Sequence, residues 1–119
     1  MIMEVVNVKC ANIRPEYDNL LEWCQDCNNE YIGRKGIVFI NKVRYPKCNS
    51  IWANPFKITK DIDREQCIDL YREYIIEKIE KENLTEQLLS LENKKLGCWC
   101  YPELCHGNVL QELIECYMN

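Results

Sequence analysis

The sequence is sparing with the residues that break backbone regularity: 119 residues include only four glycines and four prolines. That composition fits neither a fibrous repeat nor a disordered tract. Internal repeats, low-complexity stretches and linkers rich in proline, glycine or serine are also missing. Residues 1–119 are therefore expected to form a single domain. No apolar run approaches the ~18 residues of a membrane span, so no membrane partner is expected. The opening MIMEVVNV lacks the basic start of an export signal, and Glu4 and Asn7 interrupt its apolar residues. The expected setting is a reducing compartment, the cytoplasm.

A second scarcity is local. Between Arg34 and Lys60 there is no aspartate or glutamate, while Arg34, Lys35, Lys42, Arg44, Lys47, Lys57 and Lys60 supply seven cations. The rest of the chain holds eight basic and nineteen acidic residues, so a net charge of −4 conceals a segregated distribution. Phe39, Tyr45, Trp52 and Phe56 alternate with those cations. Positive charge for phosphates beside flat rings for bases suits a nucleotide or nucleic acid. The competing reading pairs the lysines with the acidic helix that follows and buries the aromatics in the core.

What is abundant is cysteine, nine in all. In an exported domain that density would signal a disulfide framework. The odd count and the expected reducing setting point instead to thiols, metal ligands or catalytic groups. Cys24-Gln-Asp-Cys27 is a C-x-x-C pair standing alone in a polar stretch. It is either half of a zinc site completed by Cys10 or Cys48, or a redox pair. Cys67 and Cys116 are expected to be small buried hydrophobes.

Local patterns predict alternating strands and helices. Val5, Val6 and Val8 mark a strand near residues 3–9, and Pro15 opens a short helix through Leu20, Leu21 and Cys24. Residues 30–33 and 37–43 read as strands divided by a glycine turn, and 44–60 as a structured loop. Asp63 caps a helix to about residue 82, with Gln66 as capping partner and Glu77–Lys81 as an outer-face pair. Thr85 caps a shorter helix, Lys95–Cys100 is a strand stopped by Pro102, and Asn108 with Gln111 caps the last helix, whose apolar stripe ends at Tyr117. The expected fold is a small α/β domain with a central, mostly parallel sheet flanked by helices.

The chemistry concentrates in Cys98-Trp99-Cys100-Tyr101-Pro102-Glu103-Leu104-Cys105-His106. On a strand, Cys98 and Cys100 face one side and Trp99 the other. Pro102 then turns the chain toward Cys105 and His106 at a helix start, whose positive end lowers thiol pKa values and attracts anions. Three thiolates with an open or borrowed fourth position suit zinc, or an iron–sulfur cluster with one exposed iron. A reactive thiol and plain core packing are the alternatives. The lone histidine, His106, stands where a proton carrier or fourth ligand is useful.

These blocks resemble a family of small domains of unknown function, the one numbered 4326, from bacteria, phages and large DNA viruses. Its signature runs Val-Asn, Tyr-Ile-Gly-Arg, Trp-Gly-Asn-Pro-Phe, a Tyr-bearing helix, and Leu-Gly-Cys-Trp-Cys-x-Pro-x-x-Cys-His-Gly-Asp-Val-Leu. Here the blocks are Val6-Asn7, Tyr31–Arg34, Trp52–Phe56, the helix around Tyr71, and Leu96–Leu110. Ala53 replaces the family's Gly and Asn108 its Asp; the second change removes a carboxylate, so no general-base role is carried over to that position. Segments 10–29 and 35–49 look like insertions, so the resemblance does not carry Cys10, Cys24, Cys27 or Cys48. It implies no reaction. If the protein is viral, its compartment is the host cytoplasm.

The resulting expectation is a metal-containing α/β protein that binds a nucleotide or nucleic acid, whether or not it also processes that ligand. Cys98, Cys100 and Cys105 hold the metal, and His106 carries protons or completes the ligand set. Gly33 and Arg34 approach phosphate, while Trp52, Asn54 and Phe56 shape the pocket. Two alternatives stand beside it: an interaction module with a structural zinc, and a metal-free thiol enzyme using Cys105 and His106. If the strands ending at Gly33-Arg34 and at Pro102 are parallel neighbours, Arg34, Asn54 and His106 converge on one cleft.

Overall fold

The computed structural model describes residues 3–118. Met1 and Ile2, on which part of the reading of the opening segment rests, lie outside the described residues, as does Asn119. Along the chain run β1 (Glu4–Asn7), α1 (Cys10–Ile13), α2 (Leu20–Gln25), β2 (Asn29–Tyr31), β3 (Val38–Ile40) and β4 (Val43–Tyr45). They are followed by α3 (Arg64–Glu82), α4 (Thr85–Leu89), β5 (Lys95–Cys98) and α5 (His106–Met118).

Three strands form a parallel sheet in the order β1-β5-β2, with Asn7 beside Cys98 and Tyr31 beside Gly97. This is the α/β architecture expected. Alternation along the strands divides the interior in two. Val5, Ile32, Leu96 and Cys98 face the main core with α3, α4 and α5, while Val6, Val8, Tyr31 and Trp99 face a smaller core with Leu20 and Trp23. Gly97 sits where the second core meets the sheet. A Cβ there would overlap the Trp23 ring and approach a Val8 methyl to 2.6 Å. No helix among the described residues is long and apolar enough to cross a membrane.

Several boundaries differ from expectation, each for a local reason. The segment read as one strand over 37–43 is a hairpin: β3 and β4 pair antiparallel, and Asn41 and Lys42 both turn with positive φ (52° and 68°). Pro46 and its polar neighbours disguised β4 as loop. The helix after Pro15 begins only at Leu20, where the Asn19 side chain accepts the Glu22 N–H, and α1 precedes it unforeseen. Asp63 and Gln66 form the expected reciprocal capping box on α3. Thr85 does not cap: Leu84 occupies the cap position of α4, with no side-chain bond. The last helix starts at His106, before Asn108. Asn108 instead bonds back to the Cys105 N–H at 3.0 Å. Cys67 is buried as expected, whereas Cys116 and Tyr117 are exposed.

Candidate functional site

The parallel pairing of β2 with β5 brings their carboxyl ends side by side, and one cleft opens there with a volume of about 290 Å³. Gly33 and Arg34 leave β2 along one wall, Asn54 and Phe56 come from the following loop, and Cys98 and Cys100 from the end of β5. Cys105 and His106 enter with the start of α5. Residues far apart in sequence meet because parallel strands must all run out at one edge, where the next helix begins. Arg34, Asn54 and His106 thus line the same cleft.

Each wall has an identifiable support. At Gly33 a Cβ would collide with the Tyr31 phenol, which folds back to donate to the Arg34 carbonyl at 2.7 Å. Arg34 clamps the neighbouring loop: Nε donates to the Asn54 carbonyl at 2.9 Å and one terminal nitrogen to the Phe56 carbonyl at 2.8 Å. Its other N–H groups have no hydrogen-bond partner among the described residues. The Asn54 side chain accepts the Phe56 N–H at 2.9 Å and points its amide at the Cys67 sulfur, which fixes the turn through Pro55. Trp52 is not on the cleft wall. It is 1% exposed in the main core, and its carbonyl accepts the Tyr71 hydroxyl at 2.7 Å.

His106 is pinned. Its Nε2 lies 2.7 Å from the Ile32 carbonyl, which only accepts, so that nitrogen carries the proton. Its ring meets Tyr71 edge-on at 5.0 Å between centroids. Burial lowers the imidazole pKa, aided by the nearby Arg34 charge and opposed by the Ile32 bond. The neutral ring keeps Nδ1 as its acceptor, with no thiol bonded to it among the described residues.

The cysteines divide. Cys105 donates to Cys98 across 3.5 Å between sulfurs, both side chains almost wholly buried apart from the cleft. That bond, with main-chain bonds at Tyr101 and Cys100, holds Cys98 below the ordinary thiol range against the effect of burial. The same bond and burial push Cys105 up. Cys100 lies on the same wall, half-buried. Among the described residues no three His, Cys, Asp or Glu side chains are gathered as they would be around an ion. Cys10, Cys27 and Cys48 are exposed free thiols. Cys24, half-buried, neighbours Tyr45, and among the described residues no third ligand gathers beside the C-x-x-C pair.

Some lining residues escaped the sequence reading. Lys57 and Arg64 add charge, and Ile58, Leu104 and Ile37 add apolar wall. Lys57 had a signal in the acid-free segment beside Phe56. Arg64 had none, and part of its charge is spent on Glu103 at 2.6 Å and on the Leu104 carbonyl.

The fold and cleft together describe a small α/β protein with a cation- and thiol-lined cavity at the ends of parallel strands. Residues 18–116 match the family model described as Domain of unknown function (DUF4326), and the chain belongs to that family. It is 32% identical over 99 residues to an uncharacterized protein of Acanthamoeba polyphaga mimivirus, covering 76% of this chain and 69% of that one. It is also 31% identical over 68 residues to an uncharacterized 12.4 kDa protein in the nrdA-td intergenic region of Enterobacteria phage T4. That match covers 56% of this chain and 61% of the phage protein, less than two thirds of its length. No solved structure matches the chain.

Proposed function

We propose that this protein binds a nucleotide in the cleft at the carboxyl ends of β2 and β5. The phosphate lies toward Arg34, Lys57 and the positive end of α5, and the base lies against Phe56 and its apolar neighbours. The observation that carries this reading is the meeting of unspent cations with a flat apolar wall in one small cavity. Lys57 has no carboxylate partner among the described residues, and Arg34 uses only part of its guanidinium on the protein. The volume sits at the lower end of ligand pockets, about 300–1,000 Å³, which favours one nucleotide over a larger cofactor. Titration calorimetry with the individual nucleoside monophosphates, and with inorganic phosphate as control, tests it. Lys57→Gln, at an exposed position, should weaken the best nucleotide about tenfold, the usual scale of one charge-assisted bond. Absence of any binding below about 1 mM, or affinity indifferent to Lys57→Gln, overturns the reading.

The thiol pair favours a second reading, in which Cys98 and Cys105 hold zinc, or an iron–sulfur cluster, once Cys100 turns toward them. Sulfurs sharing one tetrahedral zinc stand about 3.8 Å apart, near the separation of this pair. His106 would complete such a set only through Nδ1, because Nε2 serves Ile32. Metal analysis of protein purified without oxygen decides the matter: near-stoichiometric zinc or iron is expected, lost in Cys98→Ser. Substoichiometric metal in well-folded protein refutes it.

A further inference from the structure

The acid-free segment offers a surface that the cleft does not use. None of its seven cations forms an ion pair with a carboxylate among the described residues; the pairs found use Arg64, Arg72, Lys81 and Lys94. The bland account, in which these lysines neutralise the acidic helix α3, therefore fails. Burying the aromatics fails for one of them as well, because Phe39 is 65% exposed.

Phe39 stands on the β3–β4 ribbon, whose two faces differ. Val38, Ile40 and Tyr45 pack inward on the smaller core. Phe39 and Arg44, paired across the strands, face outward, and the Arg44 guanidinium lies 4.7 Å from the Phe39 ring centroid. Arg44 is held there by a bond to the Gly36 carbonyl at 3.0 Å. The two-residue turn at Asn41 and Lys42, both left-handed, matches the natural twist of a hairpin and sets Lys42 at its tip. The ring and its cations are thus organised before anything binds. Ile37, one step before β3, lines the nucleotide cleft and is itself exposed, so ribbon and cleft are continuous.

We propose that the outer face of this ribbon is a stacking subsite for single-stranded nucleic acid, with Phe39 taking a base while Lys42 and Arg44 take the flanking phosphates. The proposal rests on the cleft reading and extends it: the nucleotide in the cleft is one unit of a strand, and a neighbouring unit lies on the ribbon. Charge complementarity selects a polyanion, because a stretch of seven cations without a carboxylate repels basic partners and attracts phosphates. The exposed ring selects an unpaired strand, because a base inside a duplex has no free face to stack on an aromatic side chain.

Fluorescence anisotropy with labelled DNA and RNA strands of about ten nucleotides, set beside mononucleotide calorimetry, tests this. The strand should bind at least tenfold more tightly than the mononucleotide, with affinity falling steeply as salt rises. Phe39→Ala should cost about tenfold in strand affinity and leave mononucleotide affinity unchanged. Lys42→Glu, also exposed, provides an independent variant with the same pattern, and circular dichroism checks both folds. Strand affinity no better than the mononucleotide's, or unmoved by both variants, overturns the ribbon subsite and leaves the cleft reading intact. Strand binding that depends on Phe39 but not on Lys57→Gln, with no mononucleotide binding, overturns the cleft reading alone. Preference for duplex, or Phe39-dependent binding to phosphatidylserine vesicles without strand binding, replaces the proposal with a different surface.

Discussion

Tyr71 joins the core to the cleft at the scale of a single residue. Its ring stands edge-on to His106 and its hydroxyl donates to the Trp52 carbonyl at 2.7 Å, so one side chain steadies both the imidazole and the loop that ends in Phe56. Burial pushes its phenol well above the ordinary range, so the hydroxyl stays a donor at any physiological pH. Tyr71→Phe leaves the buried Trp52 carbonyl unpaired and should cost about 1–3 kcal/mol in urea unfolding, with the fold retained. His106 and the three thiols of the final motif were legible in the sequence because they lie within nine residues of one another. The hidden part was their engagement: Nε2 belongs to Ile32, and Arg34 is half committed to a loop twenty residues onward. Main-chain partners carry no residue-type signal, so composition and spacing could not disclose them.

Among the elements, those with strong local rules were the readable ones. Asp63 and Gln66 satisfy each other's main-chain donors within one turn, and α3 begins where they dictate. Asp63→Ala should lower stability by about 1 kcal/mol, seen as a lower urea midpoint with unchanged slope. Elements whose limits depend on distant partners were misjudged. β5 ends at Cys98 rather than Cys100, since β1 and β2 pair with it only as far as Asn7 and Tyr31. The alternation continues past its end all the same. Cys98 and Cys100 turn to the main core and Trp99 to the smaller one, where its indole N–H donates to the Tyr31 hydroxyl at 2.9 Å. The ribbon is the opposite case, a true hairpin concealed by Pro46 and recognisable afterwards from Asn41-Lys42 at its turn.

At the level of the whole molecule, one sheet separates two cores, and the cleft opens where three parallel strands end against the start of α5. Gly97 marks how closely the layers approach, since Trp23 and Val8 occupy the space a side chain would need. Periodicity, capping pairs and the acid-free stretch are properties of neighbouring residues, and they were enough to establish the α/β class, the long helix, the thiol motif and a segregated positive charge. Pairing β5 between β1 and β2 is a different kind of event, because it joins residues more than sixty positions apart whose association no local pattern records. It is set by the summed burial of both cores and by the register that satisfies every strand at once. That pairing put Arg34, Asn54 and His106 around one cavity, sent Trp52 into the core and turned Phe39 outward. Chain-local energetics chose the parts, and long-range packing chose which of them line the cleft.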